Sequence, residues 1–506
     1  MGRLPRTFAG VATLASVGFV LSLVNQLLFS YYFGTSAELD AYWLAISIIQ
    51  FATFYMGPAR EAIVPEFSKR IIQNPVQGNA YFSSAINLIA LLLLGSAASI
   101  LLGSHFFSDL VVSPEQRAIY ERLVVTVVLM VPLSFLNPAY ELFSNLLAAY
   151  QRVLIQNVVR IASSMVLMIS MALLASHWGV NAAILGLITG QSVACAVLLI
   201  ALRKAGLRYE WRSRPVVDAA FLRLAGALLF AHAVSQLYIL FERNTLTSFG
   251  EGVVSAYQYA AALSHVPQMI LIASLTTAMW PELLAAARNG QLRLTVELIN
   301  SGWNILAPAL TLIMLFGLVF AEHIVYLLFF RGTFDARSLQ LTSLCFKATV
   351  IALPFYGLYL IVGRVLLSHQ AGPSLAIIGA GAAVAGIAVV GCGRLLESLP
   401  ITVLNVAANA VAGAVLSLLM LRAILGKMVA RNLSRQVFST FGLVAATSAT
   451  VWALYPVVEL KHDGYLKVGL ELLVHLLAFS SLYGMIYVGL RLIKRHVFGF
   501  LSRYAR

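Results

Sequence analysis

The sequence predicts an all-α polytopic membrane protein of about fourteen transmembrane helices, arranged as two six-helix lobes in parallel repeat plus a C-terminal helix pair. Three observations carry that prediction. Of the 506 residues, 60% are hydrophobic and 11% charged, against roughly 45–50% and about 25% in a soluble domain. The apolar residues form continuous runs of about the 20 residues a span needs. They do not alternate as barrel strands do, so each run satisfies its backbone as a helix. Finally, two stretches of the chain repeat one outline.

The apolar runs place spans at 8–32, 38–60, 81–106, 120–146, 154–176, 180–202, 218–242, 252–279, 296–321, 339–366, 373–393, 398–422, 435–456 and 465–491. The first run is too long for a signal-peptide core and reads as a retained span. The Gly/Ala-dense stretch Ile377–Gly391 suits close helix packing. Cys195, Cys345 and Cys392 each sit inside an apolar run with no metal-ligand spacing, as small packing residues do.

Basic residues fix the orientation. With the N-terminus inside, 22 of the 34 Lys and Arg fall on inner loops and tails, including the cluster Arg203, Lys204, Arg208, Arg212 and Arg214. The positive-inside rule therefore predicts that both termini are cytoplasmic. The net charge of +14 then serves as an anchor to the anionic inner leaflet, and no nucleic-acid partner is expected. The chain carries no P-loop, H-E-x-x-H or G-x-S-x-G pattern, so neither an enzyme nor a bound cofactor is expected.

The repeat joins FGTSAELDAYWLAI, Phe33–Ile46, to FGEGVVSAYQYAAAL, Phe249–Leu263. Phe33-Gly34 corresponds to Phe249-Gly250, Ala41-Tyr42 to Ala256-Tyr257, and Val64-Pro65-Glu66 to Trp280-Pro281-Glu282. Tyr42 to Pro65 is 23 residues and Tyr257 to Pro281 is 24. Six spans separate the copies, so both run the same way through the membrane. Such parallel repeats carry substrate between lobes that rock. The predicted divisions are 1–214, an N-lobe with its cytoplasmic linker; 215–431, a C-lobe; and 432–506, the helix pair and basic tail. One feature is not repeated: Ser255 stands where Asp40 does.

The motifs FG…DAYWLAI…IVPEFSK, LYILFERNTLTSFGEGVVSAYQYA with the following HVP, and LPFYGLYLIVGRVLLSHQ resemble the MviN/MurJ-like branch of the multidrug/oligosaccharidyl-lipid/polysaccharide exporter superfamily. The resemblance covers most of the chain and implies a fourteen-helix flippase of an undecaprenyl-linked glycan precursor in the bacterial inner membrane. It also implies that the two spans outside the repeat border a groove for the lipid tail. Family members that carry lipid II have arginines where this chain reads LVNQLLF, IIQFATFYM and YAAALSHVP, so Asn25, Gln26 and Ala262 stand in or beside positions that are basic in the family. Asp40 matches the family's acid, and Glu242 stands where the branch often has aspartate. The implied cargo is thus lipid II or another lipid-linked glycan such as an exopolysaccharide repeat unit. Glycosyltransferases or a polymerase of the same pathway are the expected partners, and a monomer the expected state.

A sugar-phosphate headgroup crossing lipid needs polar groups and a cation along its path. The candidates are the acid Asp40 with Glu38 beside it, the inner-end pair Arg60 and Glu61, and Glu242, Arg243 and Asn244 closing the seventh span. Asn25, Gln26 and Gln258 offer amides for sugar hydroxyls, His265 a ring nitrogen, and Arg364 a charge for the pyrophosphate. Arg160 and Glu141 are expected as an ion pair within the first lobe. A drug/cation antiporter is the alternative, although the first span carries no acid for a coupling ion. A membrane glycosyltransferase would need large extracytoplasmic loops, which the spacing of the runs does not leave.

Overall fold

The computed structural model describes residues 3–113, 115–150, 152–211, 219–369, 371–454 and 464–504, and among these every regular element is a helix. The chain divides into two compact units, Met1–Ala256 with Arg331–Ser338, and Tyr257–Phe330 with Leu339–Arg506.

The first unit holds α1 (Arg3–Phe33), α2 (Ala37–Ala52), α3 (Met56–Gln73), α4 (Pro75–Leu102), α5 (Ser104–Val111), α6 (Arg117–Leu129), α7 (Leu133–Ala149), α8 (Val153–Trp178), α9 (Asn181–Lys204) and α10 (Ala219–Ser248). Local chemistry sets their ends. Ser36 caps α2 by accepting the Leu39 N–H, and Glu38 and Asp40 occupy its first turn, where carboxylates complement the helix dipole. The Thr53 hydroxyl returns to the Ile49 carbonyl at 2.8 Å as α2 ends. After that break, α3 continues at a bend of 53°. Asn74 caps α4, and Pro75 takes the first-turn position where its missing N–H costs nothing. α6 and α7 make a second bent pair, at 54°. α8 packs on α9 through small residues: Ser170 Oγ donates to the Ala182 carbonyl at 2.7 Å. The core beneath is apolar, with Phe67, Leu146, Leu198 and Leu202 fully enclosed.

The second unit continues α11 (Val253–Pro267), which begins in the first, and adds α12 (Ala273–Arg288) and α13 (Leu292–Phe329). It also takes in most of α14 (Ala336–Ile351), then α15 (Leu353–Ser368), α16 (Gly372–Leu395), α17 (Leu399–Val403), α18 (Asn405–Leu425), α19 (Lys427–Leu454) and α20 (Tyr465–Tyr504). Pro267 cannot donate an N–H, and beyond it the ladder widens to a π-helical turn over Gln268–Ile272 before α12 resumes. α14 and α15 form a bent pair at 42°. Within the Gly/Ala run, Gly381 packs closely, since a Cβ there would meet Leu416 of α18 at 2.5 Å, whereas Gly379 and Gly391 have open space beside them. α19 and α20, the helices of the predicted C-terminal pair, both lean on α13. Trp303 packs tilted against Phe441 with ring centres 5.0 Å apart, Phe316 meets Phe479 edge-on at 6.0 Å, and Thr440 Oγ1 donates to Asn304 Oδ1 at 3.0 Å.

Each of the fourteen predicted spans overlaps a helix or a bent helix pair. Among the described residues, eight helical spans are long and apolar enough to cross a membrane, α11 and α12 counting as one, and up to eleven if each bent pair is one span. All three cysteines remain free thiols, Cys345 buried and Cys392 exposed.

Candidate functional site

Asp40 lies in the first turn of α2 yet does not serve α2. It is 0% exposed. Its carboxylate accepts the Gly252 N–H at 2.6 Å, the Ser255 N–H at 2.8 Å and the Ser255 hydroxyl at 2.5 Å. These two amides are among the N–H groups that a helix N-terminus leaves without partners. Gly252, just before α11, has no side chain to cap them. Asp40 therefore caps α11 from another helix, and its charge faces the positive end of that helix. The two residues that the repeat places in register, Asp40 and Ser255, meet each other.

The exchange is mutual. Glu251 Oε1 accepts the Ala37 N–H of α2 at 2.9 Å, so each helix N-terminus is capped by an acid from the other's approach. Gly252 has φ +86°, and a Cβ there would lie 2.5 Å from the Thr35 carbonyl oxygen. Only glycine permits that approach.

Polar contacts surround the crossed caps. Arg122 pairs with Glu38 at 2.6 Å. Thr35 Oγ1 and Ser338 Oγ are 2.7 Å apart, Arg337 Nη2 donates to the Glu251 carbonyl at 3.1 Å, and the Thr333 N–H donates to the Tyr31 carbonyl at 3.0 Å. Asp335 caps α14 by accepting the Ser338 N–H and hydroxyl at 2.8 and 2.7 Å. Those bonds hold its carboxyl below the usual carboxylate range. Between these groups lies a cavity of about 360 Å³ lined by Tyr32, Phe33, Thr35, Ser36, Glu38, Glu251, Thr333, Asp335, Arg337 and Ser338. The contacts around this cavity are hydrogen bonds and an ion pair, set beside the rings of Tyr32 and Phe33. Such contacts break and re-form at low cost when water can replace them.

The other predicted residues distribute as follows. Arg60 pairs with Glu141 of α7, and Glu61 is exposed. The expected Arg160–Glu141 pair does not form. Arg160 Nη2 turns along its own helix to Asn157 Oδ1 at 3.0 Å, and Arg60, carried past the bend on α3, takes Glu141 instead. Glu242 is buried at 4% exposure and accepts the Tyr238 hydroxyl at 3.4 Å. The Asn244 carbonyl takes the Thr247 hydroxyl at 2.8 Å, while Thr247 Oγ1 receives the Ser113 N–H at 3.0 Å. That places Glu242, Arg243 and Asn244 on the stretch of α10 that anchors the loop after α5. Asn25 is buried, and the side-chain oxygens of Asn25 and Gln26 are enclosed without a hydrogen-bond partner.

These residues all belong to the first unit; Gln258, His265 and Arg364 belong to the second. His265 is exposed and its Nδ1 lies 3.0 Å from Gln268 Oε1, where the π turn begins. Arg364 sits 5.7 Å from the centre of the Trp280 ring, a cation–π contact. Gln258 is half-buried.

Sequence reasoning missed Glu251, which caps α2. The only signal for Glu251 was its place next to Gly252 in the repeat. His232 of α10 lies against Gly57 just after the α2–α3 break, where a Cβ would come within 2.7 Å of the imidazole.

Comparison with known proteins places this arrangement in context. Residues 29–476 match the family described as lipid II flippase MurJ. A probable lipid II flippase MurJ of Rhizobium meliloti (strain 1021) is 26% identical over 304 residues, 56% of this chain and 55% of that protein. The lipid II flippase MurJ of Thermosipho africanus is 33% identical over 96 residues, 19% of each. The aligned region thus spans about half the length of the first relative and a fifth of the second. Among solved structures, lipid II flippase MurJ in an inward closed conformation superposes with TM-score 0.75 at 17% identity, covering 96% of this chain and 99% of that one. An inward-facing multidrug resistance MATE family transporter of the MOP superfamily superposes with TM-score 0.66 at 13% identity, over 84% and 99%. At these identities the structural likeness speaks for the fold.

Proposed function

The chain belongs to the lipid II flippase MurJ family, and from that premise we propose that it is a transporter, not an enzyme, which moves a polyprenyl-linked glycan precursor across the bacterial inner membrane by alternating access. Both termini lie in the cytoplasm, and the crossed caps of α2 and α11 form the latch that shuts the extracytoplasmic side. The observation that carries this reading is Asp40: a fully buried carboxylate spent on the N-terminus of a helix more than 200 residues away. A static core would bury apolar groups at that place. A buried acid held only by hydrogen bonds suits a contact that must open.

Two features favour a lipid-linked glycan as cargo. The enclosed, unpartnered amide oxygens of Asn25 and Gln26 suit sugar hydroxyls, and Arg364 on α15 supplies a cation for the phosphates. Lipid II is the cargo in the family's name. An exopolysaccharide repeat unit is the second reading, favoured by Asn25, Gln26 and Ala262 standing in or beside positions that are basic in lipid II carriers.

The test is depletion of the protein in its host. Lipid-linked precursor is expected to accumulate on the cytoplasmic face, with the accumulated glycan identifying the cargo. Arrival at the outer face at the normal rate would refute the proposal.

A further inference from the structure

A second cavity, of about 300 Å³, lies in the first unit and shares no lining residue with the first. Its walls are Phe82, Ile86 and Ala90 of α4, Phe143 of α7 and Leu199 of α9. That volume is at the small end of the roughly 300–1,000 Å³ typical of ligand sites. At one end the lining becomes polar, with Asn87, Arg203 and Tyr209. The segment after α9 builds this mouth by folding back along α4. The Arg208 N–H donates to Asn79 Oδ1 at 3.1 Å, the Glu210 N–H to Ser83 Oγ at 2.8 Å, and the Tyr209 hydroxyl to Asn87 Oδ1. Trp211 meets Tyr209 edge-on and is 82% exposed, as an aromatic anchor at a membrane interface is.

Charge and surroundings define what fits. Arg203, which lines this mouth, is exposed, as are Lys204 and Arg208 beside it in the chain. None has an acidic partner within 4 Å among the described residues, Glu210 included. The helices flanking the groove present exposed Leu88, Leu91, Val197 and Ile200, so it opens where lipid is the solvent. A free phosphate would leave the apolar length empty, and a zwitterionic lipid would leave the cluster's charge unanswered.

We propose that this groove is a binding site for an anionic phospholipid of the cytoplasmic leaflet, one acyl chain lying along α4 and its phosphate held by Arg203. Only the naming of the leaflet rests on the orientation proposed above. Guanidinium–phosphate hydrogen bonds hold the headgroup, and the neighbouring lysine and arginine add attraction at the surface. An occupant here would tie the segment leaving α9 to the composition of the membrane.

Native mass spectrometry of the detergent-released full chain tests the site with dioleoyl-phosphatidylglycerol, and with dioleoyl-phosphatidylethanolamine as the zwitterionic, net-neutral comparison. The wild type is expected to retain phosphatidylglycerol about tenfold more tightly. Arg203→Gln should remove that preference, while Arg422→Gln, an exposed cation elsewhere, should keep it. Ala90→Trp should weaken retention by filling the groove, and Ala90→Leu is the milder filling if the tryptophan does not fold. Equal retention of both lipids, or unchanged retention in both Arg203→Gln and the filled variants, overturns the proposal. Loss in Arg203→Gln with full retention in the filled variants also overturns it, by reducing the site to surface charge. Displacement of phosphatidylglycerol by equimolar undecaprenyl phosphate would assign the groove to the transport substrate instead. No arm measures transport, so the outcome is independent of the flippase reading.

Discussion

Removing the Asp40 carboxylate should release the latch, and the structure sets the size of the effect. Three donors converge on Asp40 at 2.5–2.8 Å. A hydrogen bond to a charged group contributes about 1.5–3 kcal/mol net, so independent bonds would total roughly 4–9 kcal/mol. Bonds sharing one carboxylate are not independent, and once the latch opens water meets the freed donors. Asp40→Ala should therefore cost the latched state about 3 kcal/mol, a shift of roughly 100-fold toward the opened state. Asp40→Asn keeps one acceptor oxygen and should shift it about tenfold, a change of ~1.4 kcal/mol. The assay is labelling of a single cysteine at Ala37, which is 4% exposed, by a membrane-impermeant thiol reagent added from outside. Cys195, Cys345 and Cys392 are first replaced, since Cys392 is exposed. The labelling rate should rise in the order wild type, Asp40→Asn, Asp40→Ala, with membrane expression intact. Equal rates in all three, together with unimpaired transport, would remove Asp40 from the gate.

Other perturbations separate the parts of the site. Glu251→Gln leaves an oxygen to accept the Ala37 N–H and should change labelling less than twofold, whereas Glu251→Ala should raise it about fivefold, a cost of ~1 kcal/mol. Gly57→Ala should lower the apparent Tm, because the new Cβ would stand 2.7 Å from the His232 ring and overpacking costs about 1–3 kcal/mol; adding His232→Ala should restore it, and a Tm unmoved by either change would refute the contact. Arg60→Glu and Glu141→Arg should each reduce stability by no more than about 1 kcal/mol and together recover it, as a thermal-shift double-mutant cycle would read. Asp335 is held below the usual carboxylate range by Ser338, so its cap contributes fully above its unfolded pKa and is lost as pH falls through the lower folded one; the exchange protection of the Ser338 amide, taken relative to the intrinsic rate at each pH, should show that loss in the wild type and stay constant in Asp335→Asn.

The helices were legible because composition alone dictates them: runs of about 20 apolar residues admit no other solution in lipid. The bends were not. The break after Ala52 and the π turn after Pro267 fall inside runs whose hydropathy is continuous, so a window average passes over both. Ion-pair choice was equally hidden. Arg60 and Arg160 are both arginines within reach of Glu141 by sequence, and only the path of α3 past its bend decides for Arg60.

The site was legible in a more particular way. The repeat placed Asp40 and Ser255 in register, and their difference read as an acid present in one copy and missing from the other. In space they are the two halves of one contact, Ser255 donating from both backbone and side chain to Asp40. A pseudo-symmetric pair of helix starts that approach each other cannot both present an acid, because two buried carboxylates would repel and one would be left without donors. One acid and one donor satisfy the same geometry. A second acid answers it four residues before Ser255, where Glu251 caps α2 as Asp40 caps α11. The asymmetry is thus a condition of closing a symmetric joint, which is why Ser255→Asp should hold the latch open as strongly as Asp40→Ala does.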